Sequence, residues 1–188
     1  ATCKDPRVRV LRHPENRGVG GATKTGFRRA LEDGADIVVK LDGDGQMDPA
    51  LIPALVRPLT EGRADYAKGN RFFELEGLRA MPFVRLVGNA LLSFLNKLSS
   101  GYWEVFDPTN GFTALHAAVA RRLPWDKVAR RYFFESDVLF RLGAMRAVVA
   151  DVPMRAVYGG EHSSLSVRRA LVEFAWKHVR NTAKRVVY

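Results

Sequence analysis

The chain has 188 residues, 47% of them hydrophobic and 10% aromatic, enough for one filled core and incompatible with a disordered chain. Thirty Lys and Arg stand against 20 Asp and Glu, a formal net charge of +10, which points to an anionic partner: nucleic acid, a phosphorylated small molecule or an acidic membrane surface. A single cysteine, Cys3, excludes an internal disulfide and a Cys-rich zinc centre.

The elements alternate in kind along the chain. The run "RVRVLRH" (7–13) reads as β-rich, 17–33 as a helix, "ADIVVKLD" (35–42) as a strand, Pro49 to about Thr60 as a helix and "ADYAKGNR" (64–71) as a strand. This order predicts a β-α-β sheet with parallel strands, whose ligand crevice lies at the strands' carboxyl ends. A long apolar helix is expected from about Pro82 to Leu98, followed by "DPTNGFTALH" (107–116) and a short helix. Then come a helix from about Glu135 to Leu142, the strand "RAVVADVPM" (146–154) and one basic helix from Ser166. No repeat or linker divides the chain. The start "ATCKDPRVRV" has no apolar signal-peptide core and no run of about 18 uncharged apolar residues marks a span, so the sequence is expected neither to cross a membrane nor to be exported.

Asp42, Asp44 and Asp48 fall within seven residues at the exit of the 35–42 strand. Carboxylates this close repel, so a cation, a basic partner or solvent must separate them. An EF-hand loop counted from Asp42 would put Gln46, Met47 and Pro53 at positions 5, 6 and 12, which lack the required ligands and glycine. Asp48 before Pro49 is accounted for as a helix cap. Asp42 and Asp44 alternate along an extended segment, where they can converge on one hard cation with Gln46 adding a neutral oxygen; acids at strand ends are also common without a metal.

The segment "NRGVGGATKTGFRRALEDGADIVVKLDGDGQMDP" (16–49) resembles the core of the family 2 glycosyltransferases with the GT-A fold, in particular the polyprenyl-phosphate glycosyltransferases. "GNR" (69–71), "DPTNGF" (107–112), "YFFESDVLFRL" (132–142) and "YGGEHSSL" (158–165) follow in the family's order. The resemblance implies an α/β, Rossmann-like, mixed but mostly parallel sheet with flanking helices. Residues 1–165 would form the catalytic domain, with its N-terminal strands apparently missing, since the family's opening strand and base-gripping acidic turn have no counterpart here. Residues 166–188 would form a basic amphipathic juxtamembrane helix at the cytoplasmic face of a membrane, the full-length protein continuing into transmembrane helices. Along that helix Val167, Leu171, Phe174, Ala175, Val179 and Val186 are expected on one side, with Arg169, Lys177, Arg180 and Lys184 opposite; a surface helix packed on the core is the plainer alternative.

The resemblance further implies inverting transfer of a sugar from a UDP- or GDP-linked donor to a polyprenyl phosphate, with Mg²⁺ or Mn²⁺ held by Asp42, Asp44 and Gln46. Lys24, Arg71 and Arg85 match positions that contact donor phosphates, and Asp107, Glu135 and Asp137 match the acidic motifs around acceptor and donor. Each has a plainer reading: Arg71 as a solvated surface cation, Asp107 as a turn residue before Pro108, Glu135 and Asp137 as acids favouring a helix N-terminus. Arg85 is a lone charge in an apolar helix, which needs a partner or a wet position. "NRGVGGATKTGF" lacks the G-K-[ST] of a phosphate loop, and His162 has no metal-ligand partner in spacing. The rival readings are a basic nucleic-acid-binding module, a metal-dependent phosphohydrolase and a non-catalytic relative. The first would display base-stacking aromatics among basic residues, whereas the aromatics here lie mostly in apolar helical patterns, so no nucleic acid is expected. The second lacks the nucleophile-and-threonine pattern of the haloacid dehalogenases.

Overall fold

The computed structural model describes residues 5–72, 83–154 and 167–187, with side chains at 83–86, 89 and 167–172 outside the description. The elements run α1 (Gly18–Glu32), β1 (Ile37–Lys40), a 3-10 turn (Pro49–Leu51), α2 (Ile52–Thr60), β2 (Tyr66–Asn70) and α3 (Phe83–Ser100). They continue as β3 (Thr113–His116), α4 (Ala117–Ala120), a second 3-10 turn (Trp125–Lys127), α5 (Phe134–Ala144), β4 (Val149–Pro153) and α6 (Val167–Val187).

Local chemistry sets several ends. Asn16 Oδ1 accepts the Gly18 N–H at 2.8 Å to open α1. Gly34, at φ +85°, turns the chain out of that helix while the Ala35 N–H returns to Ala30 O at 3.0 Å. Asp48 is the expected cap, its Oδ1 accepting the Ala50 N–H at 2.9 Å ahead of α2.

The four strands form one mixed sheet in the order β1-β3-β2-β4. β3 is antiparallel to both β1 and β2, and β4 is parallel to β2, so three strands point one way and β3 the other. The expected β1-α2-β2 unit is present, but its two strands are not neighbours: "TALH" inserts between them. The other departure is "RVRVLRH". Residues 8–13 join no ladder; the segment is tied to α1 by Arg9 Nη1 to Asp33 Oδ2 at 2.7 Å and His13 Nε2 to Thr25 Oγ1 at 2.9 Å, leaving Val8, Val10 and Leu11 exposed. Among the described residues no strand offers it a partner, and β propensity without one yields no strand.

Side chains alternate across the sheet with period two. Val38, Tyr66, Leu115 and Val149 face a core built with Phe27 of α1 and Phe134, Val138, Leu139 and Leu142 of α5. Ile37, Val39, Ala67, Ala114, Ala150 and Val152 face a second core with Leu55 and Leu59 of α2. β2 is buried along its whole length.

The terminal helix packs on the body. Phe174 meets Phe133 edge to face at 5.3 Å between ring centroids, and His178 meets the same ring at 4.9 Å. The inward face is therefore Phe174, His178 and Asn181, all buried, while Val179 and Val186 point outward. This divides the apolar stripe expected from the helical wheel, because docking against α3 and Phe133 fixes the helix's rotation rather than hydrophobicity alone.

Candidate functional site

Continuing the period-two alternation to the strand ends places polar residues on the α5 side of the sheet. Lys40 is opposite Thr113, Thr113 opposite Lys68, and Lys68 beside Asp151. These four residues form a row across all four strands, a spacing of about 4.8 Å per step. Lys40 is 8% exposed and Lys68 fully buried. Buried ammonium groups need partners, since an unpaired ion in the interior costs several kcal/mol.

For Lys40 the partners are carboxylates singled out in the sequence. Lys40 Nζ lies 2.7 Å from Asp42 Oδ1, 3.2 Å from Glu135 Oε1 and 3.2 Å from Gly111 O. Lys68 Nζ donates to Asn110 O; burial pulls its pKa down to about 8, opposed by the charges of Glu135 and Asp107. Asp107, fully buried, grips Arg71 in a two-pronged ion pair, Nε to Oδ2 at 2.7 Å and Nη2 to Oδ1 at 3.0 Å. The Arg71 backbone N–H adds a bond to Oδ2 at 3.3 Å.

The structure gives Asp107, Asn110 and Gly111 of "DPTNGF" distinct roles. Asp107 holds Arg71. Asn110 donates from Nδ2 to Gly69 O at 2.8 Å and accepts the Phe112 N–H at 2.9 Å, stitching the loop to β2. Gly111 lies directly under the acidic turn: a Cβ there would stand 2.0 Å from Asp42 Oδ2 and 2.5 Å from Lys40 Nζ, so any side chain would expel the carboxylate from its place.

Beyond Asp42 the turn opens to water. Asp44 is exposed, its Oδ1 accepting the Gln46 N–H at 3.1 Å, and Gln46 is half-buried. Among the described residues no three acidic, His or Cys side chains converge as a closed metal cage. The two carboxylates of Asp42 and Asp44 with the Gln46 amide fit the partial oxygen shell that a hard divalent cation completes with water and substrate phosphates.

Other expected site residues lie elsewhere. Asp137, two residues from Glu135 on α5, points away from the row: Oδ2 accepts the Ala129 N–H at 2.8 Å and Arg141 Nη2 at 3.2 Å, and Oδ1 accepts Asn181 Nδ2 at 3.3 Å. It ties the loop before α5 to α6. Lys24 donates to Val128 O and lines a separate cavity with Arg17 and Arg130. The Arg85 side chain and the segment around His162 are outside the described residues.

Lys40, Lys68, Asn110 and Asp151 were not anticipated. The signal for the first two was available: a lysine at an inward position of a period-two strand must be paired. Asp151 is half-buried beside Asn70, whose Nδ2 donates to Oδ2 at 2.7 Å, and burial pushes its carboxyl up to about 6.

Comparison with known proteins identifies the family and the fold. The chain is 34% identical over 152 residues to a UDP-N-acetylglucosamine–dolichyl-phosphate N-acetylglucosaminyltransferase of Methanococcus voltae, covering 81% of this chain and 60% of that protein. It is 30% identical over 156 residues to an undecaprenyl-phosphate mannosyltransferase of Micrococcus luteus, covering 82% of this chain and 63% of the relative. The chain thus spans less than two thirds of the length of these relatives. Glucosyl-3-phosphoglycerate synthase of Mycobacterium tuberculosis, solved with Mn²⁺ and uridine-diphosphate-glucose, superposes with a TM-score of 0.61 at 22% identity over 90% of this chain and 56% of that one, which establishes the GT-A fold. Residues 1–123, from before α1 through β3 and the acidic turn, match the family described as Glycosyl transferase family 2, and the chain belongs to that family.

Proposed function

We propose that the chain is the nucleotide-sugar-handling part of an inverting transferase that moves a sugar from a nucleoside-diphosphate donor to a polyprenyl phosphate at a membrane surface. The observation that carries this reading is the junction at Asp42, where a buried, charge-paired row meets an open pair of carboxylates at the strand ends.

Asp42, Asp44 and Gln46 would hold Mg²⁺ or Mn²⁺, which when bound supplies Lewis-acid stabilisation of the diphosphate leaving group. The chain's own residues do the rest. Lys40 and Gly111 fix the Asp42 carboxylate in one place before any donor arrives, so no reorganisation is needed at the moment of reaction. Asp107 holds the Arg71 guanidinium, whose side chain is 23% exposed, at the mouth of the crevice, where a planar fork suits a phosphate. Held in a two-pronged ion pair with Arg71, Asp107 orients that cation. An acceptor phosphate, with a second pKa of about 6, is already largely ionised near neutral pH and makes little demand for a base.

Two apolar faces support a membrane setting. On α3 Val87, Leu91, Phe94 and Leu98, at helical spacing, are 36–52% exposed and continue into Trp103 and Phe106. Phe94 and Trp103 stack edge to face at 6.4 Å, and Lys97 Nζ sits 3.9 Å over the Phe106 ring. On α6 Trp176, Val179, Val186 and Val187 are exposed beside Arg180 and Lys184. Aromatic and aliphatic groups rimmed by cations suit an anionic interface, while no helix among the described residues is long and apolar enough to cross a membrane.

The test is transfer of labelled sugar from UDP- and GDP-linked donors to a polyprenyl phosphate in anionic vesicles, by the protein carrying this chain. Metal-dependent formation of the lipid-linked sugar, lost in Asp44→Ala, is expected. Release of phosphate without sugar transfer would favour a phosphohydrolase instead.

A further inference from the structure

A second charged region lies away from the strand ends. Positions 17, 21, 24, 25 and 28 fall on one face of α1 and its lead-in, and residues 126, 130 and 131 face them across a cavity of about 590 Å³, a size typical of small-molecule sites. The cavity is built rather than incidental. The 129–131 segment is held on α1 by the Gly21 N–H to Arg130 O bond at 3.1 Å, and a Cβ on Gly18 or Gly20 would stand 2.6 Å from Arg130 O or Ala129 O. The "RGVGG" glycines therefore serve close packing of this wall.

Its lining concentrates like charge. Arg17, Lys24, Arg28, Arg130 and Arg131 share it with Glu15 and Asp126 as the acidic residues. Arg17 reaches Glu15 only at 4.0 Å. Among the described residues Arg28, Arg130 and Arg131 have no carboxylate within 4.0 Å. Burial first, and Arg130 second, lower the pKa of Lys24, against the opposing charges of Asp137 and Asp126. At the strand ends Lys40 meets Asp42 and Glu135, and Arg71 meets Asp107; along this wall Arg28, Arg130 and Arg131 line the cavity without such a partner among the described residues.

We infer that this cavity is a metal-independent binding site for a small phosphorylated anion, distinct from the strand-end site and independent of the donor reading. Arginine forks match phosphate oxygens in pairs, and several converging on one cavity suit a ligand with at least two phosphate charges.

The probe is inorganic pyrophosphate, titrated calorimetrically in EDTA into the wild-type chain, into Asp44→Ala, and into the exposed pair Arg28→Glu/Arg131→Glu. A matched reversal elsewhere, Arg122→Glu/Lys184→Glu, controls for the net charge. Saturable binding retained in Asp44→Ala and in the control, and at least tenfold weaker in Arg28→Glu/Arg131→Glu with an unchanged Tm, is the expected result. No saturable binding without metal, or equal weakening in the control pair, overturns the inference. Failure of the donor reading is scored separately, by metal-dependent nucleotide binding that Asp44→Ala leaves intact.

Discussion

The row across the strand ends and the acidic turn after β1 meet where Lys40 pairs with Asp42, yet they treat charge in opposite ways. In the row, Lys40 and Lys68 are buried and ringed by Asp42, Glu135, Asp107 and Asp151. In the turn, Asp44 is exposed and satisfied by a backbone N–H. The first region is committed to holding a geometry, because removing one partner strands a buried charge. The second is exposed, and its one backbone hydrogen bond leaves the fold little to lose there. Stability and binding should therefore separate cleanly between substitutions only a few residues apart.

The largest expected effect is at Asp107. Asp107→Ala leaves Arg71 facing a buried void where a two-pronged carboxylate stood, and should lower the unfolding free energy by about 3–5 kcal/mol, read by urea denaturation; Asp107→Asn, which keeps the shape but not the charge, should fall between it and the wild type.

Next comes a pH effect at the α3–α6 contact. Ser99 Oγ and His178 Nδ1 share a hydrogen bond at 2.8 Å, and the buried Nε2 has no partner among the described residues. Burial pulls the His178 pKa from 6.5 to about 4. Between those values the unfolded chain takes up a proton that the folded chain refuses, so stability falls as pH drops from 6.5 towards 4, by up to about 3 kcal/mol at 1.36 kcal/mol per pH unit. His178→Gln should flatten that slope in a Tm-against-pH series.

Asp151 runs the other way. Its carboxyl, raised from 3.8 to about 6, makes the folded chain the better proton binder in that window, so its contribution to stability is lost as pH rises from 3.8 to 6. Asp151→Asn keeps an acceptor for Asn70, and should raise Tm at pH 7 while leaving it nearly unchanged at pH 4.

The smallest stability effect is at Asp44, where Ala should shift unfolding by no more than about 0.5 kcal/mol. Should it destabilise as strongly as Asp107→Ala, the contrast between the two regions collapses.

Much of this architecture was legible in the residues. The helices of "GVGGATKTGFRRALE", "IPALVRPLT" and "FESDVLFRLGA" follow from apolar spacing, and the ends of β1 and β2 from their alternation. What was not legible depends on long-range pairing. Nothing in "TALH" says that it will lie between β1 and β2, and nothing in "RVRVLRH" says that it will find no partner, because ladders are made by neighbours and not by propensity. At the site, the acids were visible as motifs while their cations were not: Lys40 and Lys68 read as ordinary strand residues until register sets them abreast of Thr113. Glu135 and Asp137 appeared as one acidic pair. Two positions on a helix differ by about 200°, and that angle sends the first to Lys40 and the second to Ala129, Arg141 and Asn181.

In the proposed function the open turn binds a nucleoside diphosphate through a divalent cation while the buried row fixes the turn's first carboxylate. Calorimetric titration of UDP and GDP in Mn²⁺ and then in EDTA, on the wild type and on Asp44→Ala, tests it most directly. Saturable binding of one nucleotide in Mn²⁺, abolished by EDTA and by Asp44→Ala with the variant's Tm unchanged, is expected; binding of equal strength in EDTA, or in Asp44→Ala, would overturn the proposed function.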